Sequence, residues 1–276
     1  MASSKTFIEH VESCSEPPVG TILCLPSVTV AQIVGQSEGE LVMIDMEHAP
    51  LTIDVVTQMV QAYATSSQGT KFPLIRIPSH GVEWVKWGLD CGAAGIIVPM
   101  VDDAAQMKAI IDRGVYPPGG RRSYGPIYAG FADPKGGTGL AAAARYFERA
   151  RRGEIAIIPM IESKEGLQNV EEILSLDGVS GILVGPADLR LSIGLPAGLD
   201  GDETEFVDAI KKIVNAAKRL GKPVGTVALG KEIARKRAAD GFDFLLSTFD
   251  FGALLSGLAT DLKAARSGIQ DAIAQK

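Results

Sequence analysis

Cysteine is scarce. The chain has three, Cys14, Cys24 and Cys91, an odd number with no C-x-x-C spacing. That pattern supports neither a disulfide framework nor a thiolate zinc site, and leaves core or surface thiols. An excess of positive charge is absent too: 27 Lys and Arg stand against 33 Asp and Glu, a net charge of -6. There is no electrostatic footprint for nucleic acid or an anionic membrane surface. No uninterrupted apolar run approaches the roughly 18 residues that a membrane span needs. The first 20 residues, MASSKTFIEHVESCSEPPVG, lack a basic start followed by an apolar stretch. The expectation is a soluble, cytoplasmic protein that binds neither membrane nor nucleic acid.

What is present is a repeating pattern. With 276 residues, 46% hydrophobic and 22% charged, the chain can bury a sizeable core as one large α/β domain or two small ones. Eight short β-rich runs recur: TILCL (21–25), LVMID (41–45), PLIRI (73–77), GIIVP (95–99), IAIIPMI (155–161), GILVG (181–185), PVGTV (223–227) and FLLST (244–248). They are apolar on both sides of the alternation, as strands buried on both faces are. Stretches of helical period separate them, among them IDVVTQMVQAYAT, DAAQMKAIIDRG, KEGLQNVEEILS and EFVDAIKKIVNAAKRLG. Eight βα repeats in about 250 residues predict a (β/α)₈ barrel. An open doubly wound sheet is the alternative, but no G-x-G-x-x-G follows any strand. The expected organisation is a single barrel domain over 1–276, with an N-terminal extension at 1–18, a long insertion at 115–153 after strand four, and a C-terminal helix at 251–276.

In such a barrel, chemistry sits at the C-terminal ends of the strands. Polar groups gather there: Asp45, Glu47 and His48 after strand two, Arg76 on strand three, Glu162 after strand five, and Gly185, Pro186 and Asp188 after strand six. Each has a bland reading alone, since a lone His after a strand is usually a hydrogen-bonded structural residue and a Glu before a helix is often an N-terminal helix charge. Their convergence on one mouth is what the bland readings leave unexplained. Carboxylates without histidine or cysteine ligands favour a hard divalent cation, Mg²⁺ or Mn²⁺, over zinc. An arginine can hold a carboxylate or stabilise an enolate, and an imidazole paired with a carboxylate can act as a base. The set suits a 2-oxo acid.

The segments "IDMEHAP", "LIRIP", "LDCGAAGIIVPMV", "YPPGGRRSYGP", "IPMIESKEGLQNVEEIL" and "GVSGILVGPADLRLSIGLP" resemble the metal-dependent class II pyruvate aldolases of the HpcH/HpaI family, related to fungal macrophomate synthase. The resemblance runs in order over about residues 19–260. It implies that Glu162 and Asp188 ligate Mg²⁺ or Mn²⁺, with Co²⁺ an acceptable substitute. It makes His48 the base acting through a water on the metal, with Asp45 and Asp90 as candidate orienting partners. Arg76 would contact the pyruvate enolate oxygens. Backbone N–H groups around Gly185, Ala187 and Asp188 would receive the substrate carboxylate. The implied reaction is reversible cleavage of a 4-hydroxy-2-oxo acid to pyruvate and an aldehyde. The implied assembly is a hexamer, a trimer of dimers that exchange their last helices.

Three departures from the family pattern stand out. Met160 occupies a position where Gln is frequent, Arg190 one where a small hydroxyl residue is frequent, and the insertion around GRRSYGPIYAGF is closer to the fungal branch. The segment from Tyr116 to Gly139, with Arg121, Arg122, Ser123 and Tyr124, is expected either to border the active-site mouth or to close a subunit contact. Alternatives for the activity are an oxaloacetate decarboxylase or macrophomate synthase-like enzyme using the same enolate, and a CoA-ester lyase of the citrate lyase β type. A noncatalytic barrel and a phosphate-handling isomerase fit less well, because Glu162 and Asp188 are both present and no phosphate nest follows strands seven and eight.

Overall fold

A computed structural model describes residues 5–133 and 139–275. Residues 1–4 of the N-terminal extension, 134–138 of the insertion and 276 of the C-terminal segment lie outside the described residues. Eight strands form: β1 (Val19–Leu23), β2 (Leu41–Asp45), β3 (Phe72–Arg76), β4 (Gly95–Val98), β5 (Ala156–Ile161), β6 (Ile182–Val184), β7 (Val224–Val227) and β8 (Phe244–Phe249). Each pairs in parallel with its sequence neighbours, and β8 closes on β1, so the sheet is a closed (β/α)₈ barrel.

The both-sided apolar runs have a direct cause. One side chain in two points into the barrel, and the other packs beneath a helix. Ile22, Leu41, Met43, Leu74, Ile97, Ile158, Met160, Leu183 and Leu246 form the interior cluster. Val42, Ile44, Ile75, Ile96, Ile157, Ile161, Ile182 and Val224 pack outward in the larger cluster that includes the helices. Met160 is therefore a core residue: its side chain belongs to the interior layer beneath the mouth.

The N-terminal extension contains an element that the alternating pattern does not announce. Helix Phe7–Ser13 starts with a capping box, in which Thr6 Oγ1 accepts the Glu9 N–H at 3.1 Å and Glu9 Oε2 accepts the Thr6 N–H at 2.7 Å. Phe7 inserts edge-on between Phe72 and Phe244, at ring distances of 5.9 and 5.3 Å. Those two residues open β3 and β8, so the helix plugs the barrel at the N-terminal ends of the strands. Elsewhere, the single helix expected over KEGLQNVEEILS is two short ones, Lys164–Gln168 and Val170–Leu174, separated at Asn169, whose side-chain amide donates to the Asp102 carbonyl at 2.8 Å.

The insertion leaves from the opposite end to the one the mouth reading requires. After β4 the helix Ala104–Gly114 carries the chain back to the N-terminal ends of the strands before Tyr116 is reached. The described part then folds over the outside of helices Ile53–Ser66 and Val82–Asp90 through a 3₁₀ turn, Tyr128–Ala132, and returns to β5 by helix Leu140–Arg151. Arg122 Nη2 reaches Asp90 Oδ1 at 2.6 Å, and its guanidinium lies 4.5 Å over the Tyr116 ring. Tyr146 donates its hydroxyl proton to the Leu89 carbonyl. Within one chain, the described part of this segment lies away from the mouth, which corrects the expectation for those residues: its anchors lie at the end of a helix that has already run down the barrel.

Candidate active site at the barrel mouth

The interior layer contains Met43, Leu74, Met160 and Leu183. Two residues further along each strand, on the same side of the pleat, stand Asp45, Arg76, Glu162 and Gly185. Strand periodicity alone brings these four to one ring. β2 and β3 pair with Asp45 opposite Arg76, and the two side chains join bidentately, Nε to Oδ1 at 2.8 Å and Nη2 to Oδ2 at 2.5 Å. Asp45 Oδ1 also accepts the backbone N–H groups of Glu47 at 3.0 Å and His48 at 3.4 Å. Asp45 thus folds the turn after β2 and fixes the guanidinium plane. Burial opposes the charge on Arg76, but hydrogen bonding to Asp45 and the Asp45, Glu47 and Glu162 carboxylates more than offset it and keep it protonated.

Glu162 is buried, 2% exposed, and its Oε1 accepts the Met100 N–H at 2.7 Å. Met100 holds a left-handed backbone, φ 50°, which is unusual for a residue with a side chain. Gly185 answers a second steric demand: a Cβ there would lie 2.1 Å from Glu162 Oε2. Burial drives the Glu162 carboxyl up to about 7. The Met100 N–H and Arg76 act against that rise, and the charges of Glu47 and Asp188 add to it. Glu47 is itself raised, first by burial, with Arg76 and His48 opposing and Asp45 and Asp188 adding. Its Oε2 lies 3.1 Å from Arg76 Nη1 yet lacks the alignment of a hydrogen bond, so it remains an orphaned buried oxygen.

The site residues expected from sequence distribute as follows. Asp45, Arg76, Glu162 and Asp188 share one electrostatic cluster with Glu47. Glu47 was visible in the sequence as part of the strand-end group, but only the packing shows its carboxylate among the others. His48 stands at the rim with its side chain 62% exposed and Nε2 at 3.6 Å from Glu47 Oε2. Asp45 touches the His48 backbone and spends its carboxylate on Arg76, so it is no direct partner of the imidazole. Asp90 is corrected as well: it ends helix Val82–Asp90 and pairs with Arg122 rather than His48. Gly185 does not offer its N–H to a ligand, because that group donates to the Ile161 carbonyl at 3.3 Å. Ala187 and Asp188 lie in the first turn of helix Pro186–Ser192, where backbone N–H groups have no intrahelical acceptor. Arg190 faces away from this chemistry. It binds Glu203 through both Nη atoms at 2.7 Å and the Pro196 carbonyl through Nε at 2.9 Å, over the Phe206 ring at 4.9 Å. The side chain pins the loop that follows the helix.

The donor set fits a hard divalent cation. Four carboxylates, Asp45, Glu47, Glu162 and Asp188, face one committed guanidinium, and two of them are pushed up by burial and mutual repulsion. Cys24, at the end of β1, offers no thiolate: burial, with Asp45 and Asp250 nearby, pushes its thiol to about 12. Oxygen donors with surplus negative charge are what Mg²⁺ and Mn²⁺ take.

Comparison with known proteins agrees with this geometry. The sequence profile of the HpcH/HpaI aldolase/citrate lyase family matches residues 22–256. A hydroxypyruvate/pyruvate aldolase of Rhizorhabdus wittichii is 34% identical over 260 residues, covering 93% of this chain and 98% of that protein. A 2-keto-3-deoxy-L-rhamnonate aldolase of Klebsiella pneumoniae is 31% identical over 235 residues, covering 83% and 82%. Among solved structures, an HpcH/HpaI aldolase/citrate lyase family protein from Burkholderia cenocepacia superposes with a TM-score of 0.81 at 26% identity, covering 94% of this chain and 98% of that one. Macrophomate synthase superposes at 0.80 with 27% identity, covering 95% and 88%. An eight-stranded parallel barrel with this ordered set of strand-end residues, matched over most of its length, belongs to the HpcH/HpaI aldolase/citrate lyase family, and the chain is a carbon–carbon lyase.

Proposed function

We propose that the protein is a divalent-metal-dependent aldolase that reversibly cleaves a 4-hydroxy-2-oxo acid into an aldehyde and a pyruvate-type 2-oxo acid through its enolate. The observation that carries the reading is the ring of Asp45, Arg76 and Glu162, with Glu47 and Asp188 beside it and more buried carboxylate than the chain itself neutralises. Glu162 and Asp188 would hold the cation. When bound, a divalent cation supplies Lewis acidity at the carboxylate and 2-oxo group of the substrate.

The remaining work falls to side chains of this chain. Arg76, locked in plane by Asp45, presents Nη1 toward the mouth, where a fixed positive charge stabilises an enolate oxygen as it develops. The N–H groups of Ala187 and Asp188 aim outward from a helix N-terminus and suit a substrate carboxylate. His48 Nε2, exposed and beside Glu47, takes the 4-hydroxyl proton in cleavage and returns it in synthesis. Among the described residues, no helix is long and apolar enough to cross a membrane, and small soluble oxo acids and aldehydes are the proposed partners.

The test is incubation of purified protein with pyruvate or hydroxypyruvate and a panel of aldehydes, with Mg²⁺ or Mn²⁺, and with oxaloacetate run in parallel. Metal-dependent formation of 4-hydroxy-2-oxo acids is expected. Undiminished turnover after exhaustive chelation would remove the metal-dependent reading, and decarboxylation without any aldol product would assign the enolate to the decarboxylase reaction instead.

A further inference from the structure

At the plugged end of the barrel, away from the mouth, three potential ligands meet. His10 Nε2 is 2.8 Å from Glu40 Oε2, and Cys14 Sγ is 3.7 Å from His10 Nε2. The three ligand atoms lie within 4.8 Å of one another, and no other trio of His, Cys, Asp or Glu does so among the described residues. Local structure explains the meeting. His10 and Cys14 are four residues apart, on one face of helix Phe7–Ser13 and its C-cap. Glu40 directly precedes β2 and is fixed by its backbone, its N–H donating to the Val19 carbonyl at 2.8 Å and its carbonyl accepting the Phe72 N–H at 3.2 Å. The His10 ring rests 4.9 Å from the Phe72 ring, which limits its rotation.

We propose that His10, Cys14 and Glu40 form a second metal site, on the floor of the barrel, that takes a thiophilic divalent cation of the zinc class.

The donor types and spacing agree with that assignment. One sulfur, one imidazole nitrogen and one carboxylate oxygen are a borderline-soft set, unlike the all-oxygen set at the mouth. In a tetrahedral zinc site the sulfur and nitrogen ligands stand about 3.6 Å apart, close to the 3.7 Å between Cys14 and His10. The shorter His10–Glu40 contact opens by roughly half an ångström as both groups turn their lone pairs to the ion. Binding displaces the Cys14 thiol proton to solvent. Water fills the fourth position. The ion ties the plugging helix to the start of β2. None of this depends on the chemistry proposed for the mouth.

Cobalt is the probe, because a thiolate-to-Co²⁺ charge-transfer band in the near ultraviolet reports sulfur ligation and oxygen donors give none. Chelator-stripped full-length protein titrated with Co²⁺ is expected to develop this band, whether or not the mouth also takes Co²⁺, and Zn²⁺ should displace it. The band should vanish in Cys14→Ser and His10→Ala and persist in the Glu162→Gln, Asp188→Asn double variant. A second readout avoids the variants: Zn²⁺ should slow iodoacetamide alkylation of Cys14 by at least tenfold, read by peptide mass spectrometry. Absence of the band in the wild type, its survival in Cys14→Ser, or unprotected Cys14 at saturating Zn²⁺ would reduce the trio to a hydrogen-bonded floor contact.

Discussion

His48 and Arg76 separate the two halves of the proposed chemistry. Replacing His48 by Ala should lower aldol cleavage by about 10² to 10⁴, the usual contribution of a positioned base, and leave metal affinity nearly intact. Oxaloacetate decarboxylation has no hydroxyl proton to remove, so it should be spared, and equal loss of both activities would make His48 a positioning residue. Arg76 calls for Lys rather than Ala, because Ala would strand the buried Asp45 carboxylate at a cost of about 3–5 kcal/mol and confuse unfolding with catalysis. Arg76→Lys should depress both reactions together. Glu162 gives a pH prediction. Its folded carboxyl is raised from 4.5 to about 7, so the protonated form prevails in the metal-free protein only below about that pH. The associated stability is complete below about 4.5 and is lost as pH rises through about 7, amounting to roughly 3 kcal/mol at most. Glu162→Gln should flatten this dependence in urea titrations with EDTA at pH 5 and pH 8, and should weaken Mn²⁺ binding more than tenfold by calorimetry. A parallel slope in the two proteins would place the titrating group elsewhere.

Elements meet where single polar side chains fasten one to another. Asp250 begins the last helix, Asp250–Ala274, and its Oδ2 accepts the N–H groups of Cys24 at 3.0 Å and Leu25 at 2.8 Å beyond β1. Asp250→Ala leaves two partly buried donors unmet and should cost about 2–4 kcal/mol in denaturant unfolding; a change under about 0.5 kcal/mol would show that water replaces the carboxylate. Arg190 works in the same way on the loop before helix Thr204–Arg219, which is why a large cation stands one residue after the P-A-D-L turn without entering the mouth. Gly185 is the element-scale counterpart at β6. Gly185→Ala would push a methyl group into Glu162, and the expected result is a folded barrel, by circular dichroism, with impaired metal binding.

At the scale of the molecule the last helix is the conspicuous feature. It projects Phe251, Leu254, Leu255, Leu258, Leu262, Ile269 and Ile273, each about half exposed or more, along 25 residues. Monomeric soluble proteins rarely expose a contiguous apolar stripe of that size. The hexamer of helix-exchanging dimers that the family resemblance implies would cover it. Light scattering should return an oligomer for the full chain, and truncation after Asp250 should lower the mass to that of a monomer or an aggregate; a monomeric full-length protein would dispose of the exchange.

The sequence by itself determined the barrel and the ring at its mouth, because both rest on local periodicity. Apolar alternation with period two and crossover segments of helical period fix which residues line the interior. Asp45, Arg76 and Glu162 follow as the next inward positions beyond Met43, Leu74 and Met160. The tertiary structure alone decided the partners of side chains whose neighbours come from distant segments. Asp90 went to Arg122 because helix Ala104–Gly114 returns the insertion to the far end of the barrel. The Gly185 N–H went to Ile161 because β6 runs beside β5. His10, Cys14 and Glu40 met because Phe7 docks between Phe72 and Phe244 and turns the first helix across the floor. Helical spacing accounts for His10 beside Cys14, but it carries no trace of the contacts between distant segments, since the energy that makes them is packing between elements rather than preference within one.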